Sequence, residues 1–189
     1  MLKILISGNN HEGLSSSIGK LYTDSEITFA SRTSGFDLTN SKDRNRFAQE
    51  AVNYDIVIIC SALWQFEQTV LLDAVYKTCL AQEKQTHIVC IGSTTDRTSK
   101  GTSWLYNAEK KALRDYSNSL SLVGVWHGGP KVSYISFGTL SNNQHKHPDR
   151  RTLDIDEAAS YIKWIIDQPR SIAINEISID PMQGDSWYE

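Results

Sequence analysis

Ser93, Tyr106 and Lys110 are the residues whose types and spacing carry chemistry. Tyr106 and Lys110 stand four apart in an amphipathic stretch running to Leu120, so on a helix they stack on one face. There an ammonium beside a phenol would lower the phenol's pKa from about 10 toward the working pH. Ser93 closes an apolar run that starts at Ile88 and reads as a buried strand. Its hydroxyl reaches the same point if the helix packs against the sheet. Serine, tyrosine and lysine converging in this way form a proton-transfer site for a carbonyl or an alcohol. Of the eight tyrosines, only Tyr106 has a lysine four residues on, and it also has the serine upstream.

The rest of the chain must supply a sheet edge for these groups. Its 189 residues suit one domain, 1–189, with a substantial core. A formal charge of -3 and the lack of any Lys/Arg block argue against a nucleic-acid surface, and no apolar run is long enough to span a membrane. Cys60, Cys79 and Cys90 lie in or near apolar runs without ligand spacing, which reads as reduced core thiols and a cytoplasmic location. No metal site is expected, because His145 and His147 have no third partner at a suitable spacing.

Strands alternate with helices. Leu2–Ser7 is a short apolar strand followed by Gly8, Asn9, Asn10, Gly13, Leu14 and Ser15 at a helix start. Backbone N–H groups and the helix dipole at such a turn hold a pyrophosphate, although an ordinary strand-to-helix turn looks similar. Glu26–Ser31 reads as a second strand followed by Arg32, whose side chain at such a strand end can pair with a phosphate or is simply solvated. Asn40–Asn53 reads as a helix with Ser41 as N-cap, Tyr54–Leu63 contains a doubly buried strand, and Trp64–Gln82 is helical. Lys131–Gly138 alternates as another strand, and the cationic segment Leu140–Thr152 reads as a solvated loop or a lid attracting an anion. A helix capped near Asp154 and a strand over Ile172–Ile179 complete the pattern. It specifies an α/β fold, a doubly wound parallel sheet in a three-layer α/β/α arrangement.

The arrangement Ser93, Tyr106, Lys110, with Asn107-Ala108-Glu109 inside it, resembles the S-x12-Y-x3-K pattern of the short-chain dehydrogenases/reductases. That family's T-G-x3-G-x-G turn is matched by Ser7-Gly8, four residues, then Gly13-Leu14-Ser15, one residue longer and with serine for the last glycine. Asp37-Leu38-Thr39 is similar to its D-[LV]-T at the third strand, Ser61-Ala62-Leu63 stands at its N-A-G, and Phe137-Gly138-Thr139 at its P-G-x turn. Only four residues separate Arg32 from Asp37, so the helix between strands two and three is expected to be deleted. The family's relay asparagine is absent between Trp64 and Gln85, and Gln65 or Gln68 would have to replace it, though both read as solvent-facing. The segment from Asp156 to Pro181, with Asn175-Glu176, resembles a subgroup that includes NADP-dependent hydroxy-acid dehydrogenases.

The resemblance implies a Rossmann-fold oxidoreductase that uses NADP, with NAD the less favoured cofactor. It acts on a small carbonyl or alcohol substrate and assembles as a homodimer or homotetramer. Ser93, Tyr106 and Lys110 would be catalytic. Gly8, Asn9, Asn10, Gly13, Leu14, Ser15, Arg32, Asp37, Leu38, Ser61, Ala62, Phe137, Gly138 and Thr139 would line the cofactor, joined by Tyr106 and Lys110. The competing class is a cofactor-binding sensor or scaffold on the same fold without turnover.

Overall fold

Runs such as KILIS and IVII carry apolar side chains on both faces of a strand, so they must be covered from both sides. The structure, a computed structural model, describes residues 1–98 and 102–183. In chain order it runs β1 (Lys3–Ser7), α1 (Gly13–Lys20), β2 (Glu26–Ala30), α2 (Ser41–Ala51), β3 (Ile56–Ile59) and α3 (Glu67–Ala81). It continues with β4 (His87–Ser93), α4 (Leu105–His127), β5 (Lys131–Phe137), α5 (Ile155–Ile166) and β6 (Glu176–Ile179). The strands form one parallel sheet in the order β2-β1-β3-β4-β5-β6.

One face of the sheet, with Leu5, Val57 and Ile59, packs under Phe47 of α2, Leu71 and Val75 of α3, and Leu113 of α4. The other, with Ile4, Ile6 and Ile58, packs under Ile18 of α1 and Ile162 of α5. Each fully buried aliphatic side chain of this kind contributes about 1.5–3 kcal/mol. The chain leaves β1 in one direction and returns past it to β3. The switch in strand order therefore falls between β1 and β3, and a crevice opens there beyond the carboxyl ends of the strands. Among the described residues, no helix is long and apolar enough to cross a membrane.

The shortening goes further than the resemblance implies. Between β2 and α2 there is only a 3-10 turn, Arg32–Ser34, and no strand forms at Asp37-Leu38-Thr39. Asp37 Oδ1 instead accepts from Arg32 Nε and from the backbone and hydroxyl of Thr39, closing a local turn that competes with pairing. β2 is thus the sheet edge. Smaller shifts have local causes. Asn40, rather than Ser41, caps α2 by accepting from Asp43 N. α3 starts at Glu67 because Gln65 and Phe66 are left-handed, with φ of 57 and 62°. β6 begins only at Glu176, opposite Tyr134, and just before it the Asn175 side chain accepts from Ser121 on α4.

Candidate active site

A cleft of about 1410 Å³ lies over the carboxyl ends of the central strands. Gly8, Asn9, Gly13, Leu14, Ser15, Ser61, Ala62, Ser93, Tyr106, Lys110, Phe137, Gly138 and Thr139 all line it. Four of the expected residues do not. Asn10 stays in the turn behind it, where its carbonyl accepts from Ser16 Oγ, and Leu38 is buried in the core at 4% exposure. Arg32 and Asp37 form an exposed ion pair at 3.2 Å just past the end of β2.

The turn after β1 is held by its own side chains, and the free donors lie in the first turn of α1. Asn9 Oδ1 accepts from the N–H groups of His11 and Glu12, and Ser15 Oγ donates to Asn9 O at 2.7 Å. Gly8 lies so close to Ser15 that a Cβ on it would meet that side chain at 2.6 Å. No side chain caps α1, so the donors of its first turn are unclaimed by a cap. Ser7 Oγ accepts from the N–H groups of Cys60 and Ser61, tying the end of β3 to the end of β1.

Ser93 ends β4, and a 3-10 turn, Thr94–Arg97, follows it. Asn107 Nδ2 donates to Thr95 O at 2.7 Å, fastening the first turn of α4 to the segment that carries the serine. Tyr106 is thereby brought alongside Ser93, whose hydroxyl favours the phenolate. Residues 99–101 of the intervening loop lie outside the described residues. Gly92 has no room for a side chain, because a Cβ there would lie 1.8 Å from Tyr134 Oη, which donates to Asp96. The C-terminal segment holds the same frame: Glu176 accepts from Arg114 and Asn118 of α4, and Asp180 accepts from Thr94.

Gln68 corrects the sequence reading. It is 2% exposed, not solvent-facing, and its Oε1 accepts from Lys110 Nζ while its Nε2 donates to Ile91 O at 2.7 Å. The glutamine thus ties the lysine to the end of β4, where the resemblance asks for an asparagine. The titration also differs from the expected lowering. Burial raises the Tyr106 pKa above its ordinary value, with Glu109 and Asp96 adding to the rise. Burial lowers that of Lys110. The ammonium points to Gln68 and lies 5.2 Å from the Tyr106 ring centroid.

Gln68→Leu removes the acceptor from a buried ammonium, so a stability loss of about 1–3 kcal/mol is expected in urea denaturation at neutral pH. Gln68→Glu keeps an acceptor and should lose less. Equal losses in the two variants would mean that the contact with Lys110 contributes nothing.

Two tryptophans were not singled out from the sequence. The rings of Trp64 and Trp104 flank that of Tyr106, with centroids at 5.1 and 4.8 Å. Trp64 precedes the left-handed Gln65–Phe66 pair, held by the Gln65 N–H donating to Glu109 Oε1 at 2.7 Å. Their places, directly after the apolar run that ends at Leu63 and two residues before the tyrosine, were the available signal.

No protein-family model and no curated protein matches the chain by sequence. Solved structures do match. A short-chain dehydrogenase from Burkholderia cenocepacia in complex with NADP has a TM-score of 0.75 at 14% identity, over 94% of this chain and 87% of that one. Acetoin dehydrogenase from Enterobacter cloacae has a TM-score of 0.69 at 17% identity, over 95% and 94%. Serine dehydrogenase from Escherichia coli has a TM-score of 0.66 at 16% identity, over 94% and 97%. The chain therefore has the Rossmann-like α/β fold of the short-chain dehydrogenases/reductases.

Proposed function

We propose that the chain is an NADP(H)-dependent oxidoreductase of the short-chain dehydrogenase/reductase type, interconverting a small carbonyl and its alcohol. The observation that carries this reading is that Ser93, Tyr106 and Lys110 face one cleft together with an uncapped helix start and a glycine turn. The cleft exceeds the roughly 300–1,000 Å³ of a pocket for one small molecule, leaving space for a dinucleotide beside a substrate.

The residues present fit the dinucleotide. The turn around Gly8 and Gly13, with the first N–H groups of α1, would hold the pyrophosphate. Arg32, whose Nε donates to Asp37, would take the 2′-phosphate, and Ser61, Ala62 and Phe137 to Thr139 would border the ribose and ring. When bound, NADPH supplies the hydride that the carbonyl carbon gains. Tyr106 gives the carbonyl oxygen its proton and takes it back in oxidation. Its raised pKa keeps it protonated and ready for the reductive direction. Ser93 donates to the reacting oxygen as charge develops there. Lys110, held by Gln68, supplies positive charge behind the phenol and reaches toward the ribose hydroxyls. We also propose a homodimer or homotetramer, supported by apolar side chains left exposed on α3 and α4, among them Val70, Leu80, Leu122 and Trp126.

The test is NADPH consumption against a panel of ketones, aldehydes and keto acids, with a fluorescence titration of the cofactor alongside. Consumption supports the oxidoreductase, and binding without consumption anywhere in the panel would favour the sensor. For the cofactor, Arg32→Ala is expected to weaken NADPH about tenfold or more while NADH changes little, since a charge-assisted contact to phosphate is lost. Equal losses for the two nucleotides would remove Arg32 from the phosphate site.

A further inference from the structure

The tyrosine stands between two exposed aromatic faces. Trp64 and Trp104 each contact the Tyr106 ring, yet they remain 57% and 56% exposed and line the cleft. Tryptophans on loops at the mouth of a cleft offer flat apolar area to an incoming ring at little cost in conformational freedom.

The segment after β5 lines the same cleft with His145, Lys146, His147 and Arg150, and among the described residues Glu12 is the single carboxylate residue of the lining. This segment is a folded structure. The Gln144 amide donates to the carbonyls of His147 and Arg150, both at 2.9 Å, and its Oε1 accepts from Thr152 at 2.6 Å. Gln183 clasps the backbone of Arg151 from the other side. Lys146 donates to the neutral Asn143, and among the described residues neither Lys146 nor Arg150 has a carboxylate partner. Ordered cations without counter-charges beside a cleft are a standing attraction for an anion.

We propose that the substrate of this site is an aromatic carboxylate, its ring lying against Trp64 and Trp104 and its acid group facing Lys146 and Arg150. Resting on the oxidoreductase reading, the proposal makes the reacting pair an aryl-bearing keto acid and the matching hydroxy acid. The dinucleotide's phosphates are a second source of the same anion chemistry, and the experiment separates the two.

Tryptophan fluorescence is titrated with phenylacetate, its neutral counterpart phenylacetamide, and acetate, with and without saturating NADP. Phenylacetate is expected to quench and to bind roughly fivefold or more tightly than phenylacetamide. Removing both charges, Lys146→Ala with Arg150→Ala, should collapse that ratio to near one, and Trp104→Ala should weaken both ring-bearing probes about two- to tenfold. All three side chains are exposed, so the fold does not depend on them. Equal binding of phenylacetate and phenylacetamide would overturn the proposal. So would a double variant that loses NADP affinity while keeping the probe ratio, which would assign the charges to the dinucleotide. Failure of NADP to bind is scored separately and brings down the oxidoreductase reading, while the arm without NADP still decides the anion preference.

Discussion

Tyr106→Phe is expected to retain NADPH affinity while turnover falls by about 10²–10⁴-fold, the range that a positioned proton donor contributes. The substitution deletes one oxygen and keeps the ring, so the contacts at 5.1 and 4.8 Å to Trp64 and Trp104 persist and the helix start stays fastened through Asn107. The glycine turn after β1 lies on other elements and should not sense the change. What is lost is a phenol held near Ser93 and kept protonated by its burial. Steady-state rates and a cofactor titration on the same preparation separate chemistry from binding. A variant that turns over as fast as the parent would exclude Tyr106 as the proton donor, whatever the fold.

The parts legible in the sequence were those fixed by short-range pattern. The run IVCIGS could only be a buried strand, and the four-residue step from Tyr106 to Lys110 put both on one helical face. Ser93 and Tyr106 met as expected because Asn107, inside the same motif, fastens helix to turn. The Gln68 environment was not legible. A polar residue in the first turn of a helix reads as solvated, and only the packing of α3 over β3 and β4 places its amide between Ile91 O and Lys110. The same holds for the titration of the pair. Sequence spacing gives the proximity of ammonium and phenol but not their desolvation, which here outweighs it and drives the two pKa values in opposite directions.

The missing edge strand shows local chemistry overriding resemblance. A D-L-T triplet fits a strand end by pattern, but Asp37 satisfies Thr39 and Arg32 within its own turn. The result is an Arg32 exposed beside the end of β2, two residues past Ala30, which pairs with Ser7 ahead of the glycine turn. The shortened framework thus leaves the basic group two residues beyond the strand end that pairs with Ser7.

His87 makes the stability of the fold depend on pH on the acid side. It opens β4 at the end of the sheet opposite the cleft, is 9% exposed, and its Nε2 lies 2.9 Å from Ser133 Oγ. Burial, reinforced by Lys131 and Arg170, lowers its pKa from 6.5 to about 3. Below pH 6.5 the unfolded chain therefore takes up a proton that the folded chain refuses, and the fold loses stability until its own pKa is reached. At about 1.4 kcal/mol per pH unit, the loss from this one group is on the order of 3 kcal/mol by about pH 4.5. His87→Gln keeps a hydrogen-bonding side chain without a proton to gain. In urea denaturation its stability relative to the parent should rise by that amount between pH 7 and pH 4.5, whereas a constant difference would mean that His87 is charged in the fold.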